Sequence, residues 1–215
     1  MKDYGYYLFD WDGCLAKTLE VWLHAYKTVL AENGVHPADR ELAHHFGDYS
    51  LFKHFGVEDY TEANHRTADL ARTMLQTVDL YDGAKELLET LKNQNKKVAI
   101  VSSGSRDIVM RGMEHNGIAH LFDAFISGDD VTDHKPHPEA LEKALAIIKG
   151  EAAQAVMIGD SRKDMEAAQN AGTDSVLMYP DAHRVFYDIA TLQSYRPTYQ
   201  FKTFSELTSV LHPRV

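Results

Sequence analysis

The spacing of hydrophobic residues along this chain changes near residue 81. Residues 4–9 form a short, aromatic-rich apolar run that ends in an acidic, glycine-containing turn, and this pattern predicts a buried strand. Apolar residues then recur at helical spacing over 19–30, which predicts a long amphipathic helix that ends at Asn33-Gly34. Further helical stretches follow at 37–42, 51–55 and 61–78. Residues 16–80 are therefore predicted to be entirely helical.

Strands and helices alternate from residue 81 onward. The predicted strands lie at 98–101, 124–127, 155–158 and 175–178. The predicted helices lie at 84–92, 107–116, 138–149 and 163–170. Gly117, Gly150 and Gly172 each lie where the end of a helix favours a left-handed residue. A less regular segment, 181–198, is predicted to hold one helix near 184–191, before a last strand at 199–202 and a helix at 204–211.

This alternation predicts an α/β fold with a doubly wound, parallel, Rossmann-like sheet. We expect residues 1–15 and 81–215 to form that α/β domain. The helical residues 16–80 would then be a second domain, inserted after the first strand.

Composition and charge narrow the class of protein. The chain has 215 residues and a formal net charge of −10, which argues against binding to nucleic-acid phosphates and favours partners that are small or positively charged. The single cysteine, Cys14, excludes an internal disulfide and favours a reducing cytoplasm. No apolar stretch is long enough to predict a membrane span or a signal peptide. Nothing in the sequence indicates the oligomeric state.

Polar clusters follow the predicted strands at the edge where parallel sheets bind ligands. The clusters are Asp10-x-Asp12-Gly13, Ser102-Ser103-Gly104, Asp129-Asp130 with Lys135-Pro136, and Gly159-Asp160-Ser161 with Asp164. We expect all four clusters to converge on one cleft.

The residue types in these clusters suit phosphoryl transfer. Asp10 and Asp12 leave the strand on the same side, and with Asp160 they supply hard oxygen ligands of the kind that Mg²⁺ binds. A carboxylate with an ordinary pKa of about 3.9 is ionised at neutral pH, so Asp10 could attack phosphorus without a base and form an aspartyl-phosphate. Asp12 would protonate the leaving group and later take a proton from water. Ser102 and Lys135 would hold the phosphoryl oxygens.

Each cluster taken singly has a simpler interpretation. Asp10-x-Asp12-Gly13 could be a solvated turn, Ser102 and Asp160-Ser161 could cap helices, and Lys135 could lie on a surface loop. Their joint occurrence in chain order, each at a predicted strand end, favours a catalytic site over these separate explanations.

The motifs resemble those of haloacid dehalogenase superfamily phosphatases with a helical cap. The resemblance rests on Asp10-Trp11-Asp12-Gly13-Cys14-Leu15, Val101-Ser102-Ser103-Gly104, Lys135-Pro136-His137-Pro138, Gly159-Asp160-Ser161-Arg162-Lys163-Asp164 and Tyr81-Asp82-Gly83. It covers essentially the whole chain. It implies that residues 16–80 are the cap of a Mg²⁺-dependent phosphatase acting on a small phosphorylated metabolite.

The resemblance also implies a role for each motif residue. Asp10 would be the nucleophile, and Asp12 the general acid and base as well as a main-chain magnesium ligand. Asp160 would be the third protein ligand, and Asp164 would support the metal-bound waters. The phosphoryl group would be bound by Ser102, Ser103 and Lys135.

Two residues depart from the family pattern. Cys14 occupies a position that is usually Thr, which indicates either a packing choice or a redox-sensitive thiol. Lys17 occupies a usually acidic position at the hinge of the cap, where it could attract an anionic substrate or simply be exposed.

The sequence leaves other activities open. A phosphosugar mutase of the β-phosphoglucomutase kind would share Asp10 and Asp12, but Gly159 stands in place of an acid in the fourth motif. A dehalogenase or a phosphonate hydrolase of this fold is expected to lack Asp12. An inactive binding protein of the same fold is disfavoured because every catalytic position is present.

The cap is expected to determine which substrate binds. The segment 46–50, which includes Asp48 and Tyr49, together with Lys53 is the predicted specificity segment, because Gly47 interrupts two helical stretches and recognition residues concentrate on such loops. An ordinary helix–helix connection is the alternative.

Overall fold

The computed structural model describes residues 1–43, 45 and 48–211, and the strands of this part form one parallel sheet. The strands are β1 (Tyr6–Phe9), β2 (Lys97–Val101), β3 (Ala124–Ile126), β4 (Ala155–Gly159), β5 (Asp174–Met178) and β6 (Tyr199–Phe201). Their order is β3-β2-β1-β4-β5-β6, and every neighbouring pair is parallel. The chain therefore builds outward on one side of β1 and then returns to the other side. This reversal opens a crevice at the carboxyl ends of β1 and β4.

Helices cover both faces of the sheet. They are α5 (Ala84–Asn93), α6 (Arg106–His115), α7 (Glu139–Ile148), α8 (Arg162–Ala171), α9 (Ile189–Ser194) and α10 (Phe204–Leu211). Successive strand residues point to opposite faces, so Phe9 and Ile100 pack with α5, α6 and α10, whereas Leu8 and Ala99 pack with α7 and α8. Both faces being buried explains why the strands read as continuous apolar runs. The predicted doubly wound α/β fold is confirmed.

A helical cap lies between β1 and β2. Its described helices are α1 (Leu19–Glu32), α2 (Asp39–Ala43), α3 (Leu51–His54) and α4 (Tyr60–Leu75). They enclose their own apolar cluster around Tyr26, Leu30 and Phe52. The cap predicted from the resemblance is confirmed.

The chain passes between the sheet domain and the cap twice, near residues 16 and 80, and these two crossings form the hinge of the cap. Lys17 N–H donates to Asp79 O and Tyr81 N–H donates to Leu15 O, both at 2.9 Å. An antiparallel bridge between Ala16 and Leu80 lies at the predicted boundary between 1–15, 16–80 and 81–215. The domain limits themselves stay a prediction.

Two local predictions differ from the structure. The helix predicted near 184–191 is instead a 3₁₀ turn at Asp181–Val185 followed by α9, because the Asp188 side chain accepts a hydrogen bond from Thr191 N and starts a new helix there. The left-handed residue after α7 is Lys149 (φ 55°), not Gly150. Gly150 has a packing role, since a Cβ on it would lie 2.8 Å from the Tyr6 ring.

No helix among the described residues combines the length and apolarity that crossing a membrane requires.

Candidate active site

The Asp10 carboxylate lies just beyond the end of β1 and is buried. Its Oδ1 atom accepts a hydrogen bond from Lys135 Nζ at 2.8 Å. The same ammonium donates to Val101 O at 3.0 Å and to Asp164 Oδ1 at 2.6 Å. All three N–H donors of Lys135 are thus used. This ammonium ties the ends of β1 and β2 to helix α8.

Asp164 is placed by the way in which α8 begins. Ser161 is the N-cap of α8, and its backbone N–H and its hydroxyl donate to Asp164 Oδ2 at 3.1 and 2.6 Å. This is a capping box, a local motif that the sequence itself encodes. Gly159 has no room for a side chain, because a Cβ there would lie 2.4 Å from the carboxyl carbon of Asp164.

Asp12 is half-buried and lies beside the loop that follows β2. Trp22 Nε1 donates to its Oδ1 at 3.4 Å. Ser102 Oγ accepts a hydrogen bond from Gly104 N at 2.9 Å. Burial raises the pKa of Asp12, although the polar side chains of Thr18, Trp22 and Ser102 oppose the shift. A raised pKa favours the protonated form that a general acid needs.

Asp160 lies just beyond the end of β4 and is 1% exposed. Its Oδ2 atom has no hydrogen-bond partner in the described part of the chain. Gly13 (φ 71°) approaches so closely that a Cβ on it would lie 2.3 Å from this oxygen. Carboxylate oxygens of Asp10, Asp160 and Asp164 lie within 4.8 Å of one another. A buried oxygen without a donor, in a group of three carboxylates, fits a hard divalent cation.

The charges in this group do not balance. Burial raises the pKa of Asp10 to about 7, although the Lys135 ammonium opposes the shift. Burial and the negative charges of Asp164 and Asp10 also raise the pKa of Asp160. Burial lowers the pKa of Lys135, but its two carboxylate partners outweigh burial and raise it. The group therefore carries excess negative charge that a cation would relieve.

Burial changes the expected charge of Asp10. The ordinary pKa of a carboxyl group predicts an Asp10 that is fully ionised at neutral pH. In the buried site the pKa is raised to about 7, so full ionisation of Asp10 requires an additional positive charge nearby.

Three further residues of the site, Trp22, His183 and Tyr187, were not found by sequence reasoning. Trp22 contacts Asp12 from the first turns of the cap helix α1. His183 Nδ1 lies 3.9 Å from Asp160 Oδ2, and His183 Nε2 lies 2.8 Å from the Tyr81 hydroxyl. Burial lowers the pKa of His183 to about 4, and the Tyr187 hydroxyl lies near Asp160. For His183 and Tyr187 the available sequence signal was their regular spacing with Tyr179, four residues apart, in the segment 179–187.

The acidic pair after β3 does not join this group, contrary to the expectation that all four clusters converge. Asp129 Oδ2 accepts a hydrogen bond from Arg106 N at 2.7 Å. Asp130 pairs with the Arg106 guanidinium and accepts from Ser127 N and Oγ at 2.8 and 2.6 Å. β3 is an edge strand, two positions from β1. There the backbone N–H of Arg106 binds Asp129 and its guanidinium binds Asp130.

The remaining predicted binding residue of the β2 loop, Ser103, is exposed. Its carbonyl oxygen lies so close to Gly128 that a Cβ on Gly128 would approach to 2.5 Å. The loop after β2 is therefore packed tightly against the loop after β3, while Ser103 itself stays exposed to solvent.

The predicted specificity segment lies on the cap surface, and its Phe46 and Gly47 are outside the described residues. Asp48 Oδ1 accepts a hydrogen bond from Ser50 N at 3.0 Å, and this bond, with the charge of Lys163 at the start of α8, lowers the pKa of Asp48. Tyr49 is 60% exposed. Lys53 Nζ lies 6.0 Å from the centre of the Tyr60 ring.

The two departures from the family pattern both have structural partners. Lys17 Nζ pairs with the exposed Asp82 at 2.9 Å, across the two chain crossings of the hinge. Cys14 is buried, and its Sγ donates to Ile158 O at 3.5 Å. Burial raises the pKa of the Cys14 thiol, which favours the packing role over a reactive thiolate.

Comparison with known proteins identifies the same family as the sequence motifs, over most of the chain. The family model for haloacid dehalogenase-like hydrolases matches residues 7–178. The pyrophosphatase PpaX of Bacillus mycoides is 30% identical over 214 residues, which cover 95% of each chain. A haloacid dehalogenase-like family hydrolase from Streptococcus pneumoniae superposes with a TM-score of 0.84 at 22% identity, covering 99% of this chain and 100% of that one.

A protein whose structure was solved with bound phosphate also has this fold. CbbY from Rhodobacter sphaeroides, solved in complex with phosphate, superposes with a TM-score of 0.75 at 21% identity, covering 95% of this chain and 96% of that one. The family match, the relatives and the shared fold together show that this chain is a hydrolase belonging to the haloacid dehalogenase-like family.

Proposed function

We propose that this hydrolase is a Mg²⁺-dependent phosphatase that acts on a small phosphorylated metabolite through an aspartyl-phosphate intermediate. The observation that supports the proposal most strongly is the buried group formed by Asp10, Asp160, Asp164 and Lys135, with Asp12 at its border. It combines a rigid carboxylate, an ammonium and a second carboxyl group with a raised pKa.

Asp10 is the proposed nucleophile. Its carboxylate is fixed at a strand end by Lys135, which limits the geometries that it can adopt. In the first step a carboxylate oxygen of Asp10 forms a bond to phosphorus while the bond from phosphorus to the leaving-group oxygen breaks. Lys135, Ser102 and Ser103 are the proposed binding residues for the phosphoryl group. The three N–H donors of Lys135 are already engaged, so Lys135 acts there through its positive charge.

Asp12 is the proposed proton donor and acceptor. Its proton passes to the leaving-group oxygen as that oxygen departs. A water molecule then attacks phosphorus, its proton passes to Asp12, and the bond to Asp10 breaks to release phosphate. Trp22 Nε1 donates to the Asp12 carboxyl from cap helix α1, so the position of the cap and the proton donor are linked.

Asp10 and Asp160 would hold Mg²⁺ with their side chains, Asp12 with its main-chain carbonyl, and Asp164 would support the metal-bound waters. When bound, Mg²⁺ supplies positive charge to the nucleophile and to the phosphoryl oxygens. The unpartnered Oδ2 of Asp160 and the raised pKa values of both side-chain ligands support this part of the proposal.

The cap residues Asp48, Tyr49 and Lys53 are proposed to contribute to substrate choice. All three residues are exposed, so their side chains are available to a substrate. Because relatives with 95% coverage are named pyrophosphatases, inorganic pyrophosphate belongs in the first substrate panel beside phosphomonoesters. A cytoplasmic location is part of the same proposal.

The proposal is tested by hydrolysis of p-nitrophenyl phosphate, pyrophosphate and a panel of phosphorylated metabolites, with Mg²⁺ and after exhaustive chelation. We expect phosphate release that requires Mg²⁺ and, in acid-quenched samples, protein carrying one extra phosphoryl group on Asp10. Full activity after chelation contradicts the metal requirement. Conversion of a phosphosugar into its isomer without phosphate release identifies a mutase instead.

A further inference from the structure

Two buried polar atoms near Asp160 lack hydrogen-bond partners, and they face each other. Asp160 Oδ2 and His183 Nδ1 are both buried and unpartnered among the described residues, and the distance between them is 3.9 Å. Buried polar atoms are nearly always satisfied in folded proteins. Asp160 Oδ2 is a hydrogen-bond acceptor, and His183 Nδ1 is a donor when it is protonated. The distance between them exceeds hydrogen-bond length by less than about one ångström, so a small shift would join them.

The opposite edge of the imidazole has a partner that is compatible with a proton on Nδ1. His183 Nε2 lies 2.8 Å from the Tyr81 hydroxyl, which can donate to it. When Nε2 accepts this hydrogen bond, the ring proton is on Nδ1, the atom that faces the Asp160 carboxylate. A carboxylate can only accept, so this tautomer satisfies both ends of the ring.

The surroundings of the ring hold it in place. The rings of Tyr81, Tyr179 and Tyr187 pack edge-on against the imidazole at centroid distances of 5.5, 6.1 and 6.0 Å. The Tyr187 hydroxyl also lies near Asp160. The turn that carries His183 lies against the cap helix α2, and Tyr81 lies at the returning hinge crossing.

We infer that His183 is a positioning residue for the metal ligand Asp160, and that Tyr81 sets the orientation of the His183 ring from the hinge. This inference rests on the proposed function, because it assigns His183 a role toward the metal that Asp160 would hold. His183 donates its Nδ1 proton to one lone pair of Asp160 Oδ2, which leaves the second lone pair of that oxygen for the metal and fixes the orientation of the carboxylate. Partners of this kind, one step removed from the metal, typically change metal affinity or activity by 10-fold to 100-fold.

The test measures Mg²⁺ binding to the full chain by calorimetry, without substrate. We expect His183→Leu to weaken Mg²⁺ binding by about 10-fold or more. His183→Asn should restore most of the affinity, because the Asn amide nitrogen can occupy the place of Nδ1–H. Tyr81→Phe removes only the hydroxyl and should give an intermediate loss. Tyr179→Phe is the matched control, since the Tyr179 hydroxyl donates to Tyr187 O and not to the imidazole.

A second measurement separates positioning from a general structural role. At saturating Mg²⁺, the kcat of Tyr81→Phe and His183→Leu should approach that of the unsubstituted protein, so the loss appears in the Mg²⁺ concentration needed for activation. Wild-type Mg²⁺ affinity in both variants, or a loss that His183→Asn does not reverse, overturns the inference. If the unsubstituted protein binds no Mg²⁺, the metal part of the proposed function fails, which is a different result.

Discussion

Two acidic groups at the carboxyl edge of the sheet look alike in sequence and behave in opposite ways. After β3, burial alone would raise the pKa of Asp130, but hydrogen bonds from Ser127 and the Arg106 guanidinium outweigh it and lower the pKa. After β1 and β4, the pKa values of Asp10 and Asp160 are raised, because burial and mutual repulsion outweigh Lys135. The first group stabilises the fold in its ionised form. The second is under strain when ionised, which is typical of functional sites.

The difference arises from where each strand lies in the sheet. β3 is at the edge, and its end is reached by Arg106 at the start of α6. β1 and β4 are central neighbours, so carboxylates from both strand ends and from α8 are placed in one buried space with a single ammonium. Central position gives the second group the charge density that can bind a cation and a phosphoryl group.

The largest expected effect separates the two groups by activity. Asp10→Asn should lower kcat by at least 10²-fold, since the amide is a poor nucleophile and even loss of proton transfer alone costs 10²–10⁴-fold. Asp130→Asn is the matched control, and it should leave kcat within a few-fold because Asp130 belongs to the β3 group. Steady-state kinetics on p-nitrophenyl phosphate checks both variants. An Asp10→Asn enzyme with more than about a hundredth of the original kcat contradicts the nucleophile assignment.

The two cations offer the next comparison. Lys135→Met should remove nearly all activity and lower the free energy of unfolding by about 3–5 kcal/mol, because it leaves two buried carboxylates without their partner. Arg106→Met should cost about 1 kcal/mol and retain activity, because its ion pair is partly exposed to solvent. Urea unfolding monitored by circular dichroism measures both. Equal losses of stability would show that the two groups do not differ in burial as described.

The pH dependence of stability should have opposite sign for the two groups in metal-free protein. The pKa of Asp10 is about 7 in the fold and about 4 in the unfolded chain, so the folded state binds more protons between these pH values and stability falls as pH rises. Asp130 has a lowered pKa, so its contribution is present at neutral pH and is lost as pH falls below its ordinary value.

Thermal unfolding of variants in chelator tests this sign difference. At pH 7, Asp160→Asn should raise Tm, because the pKa of Asp160 is raised in the fold and its charge is unpaired. Asp130→Asn should lower Tm at the same pH. Adding Mg²⁺ should raise the Tm of the unsubstituted protein and leave that of Asp160→Asn nearly unchanged. A Tm of Asp160→Asn equal to or below that of the unsubstituted protein, at pH 7 in chelator, would contradict the charge imbalance.

The smallest effect concerns the cap. Ala substitutions at Asp48, Tyr49 and Lys53 should lower kcat/KM for the best metabolite by about 10-fold and leave that for p-nitrophenyl phosphate unchanged. Lys27→Ala, an exposed cap position paired with Asp39, is the control. Equal effects on both substrates, or none, would place specificity elsewhere, with Lys17 at the hinge as the next candidate.

The sequence by itself determined the elements and most of the site. Helical spacing and strand runs predicted the order of the elements, since period and end signals are local properties. The motif residues Asp10, Asp12, Lys135 and Asp160 were found because each follows a strand, and parallel strands bring their ends to one edge. The capping box of Ser161 and Asp164 was also within reach, because it needs only four consecutive residues.

Only the tertiary structure decided which acidic pairs are satisfied and which are not. Asp129-Asp130 and Asp10-x-Asp12 differ by the presence of Arg106, which comes from a distant part of the chain. The pKa of Asp10 depends on burial among groups from β1, α8 and the Lys135 loop, and no local pattern encodes that burial. His183, Tyr187 and Trp22 reach the site from an irregular turn and from the cap, because packing places them there and not because their neighbours in sequence do.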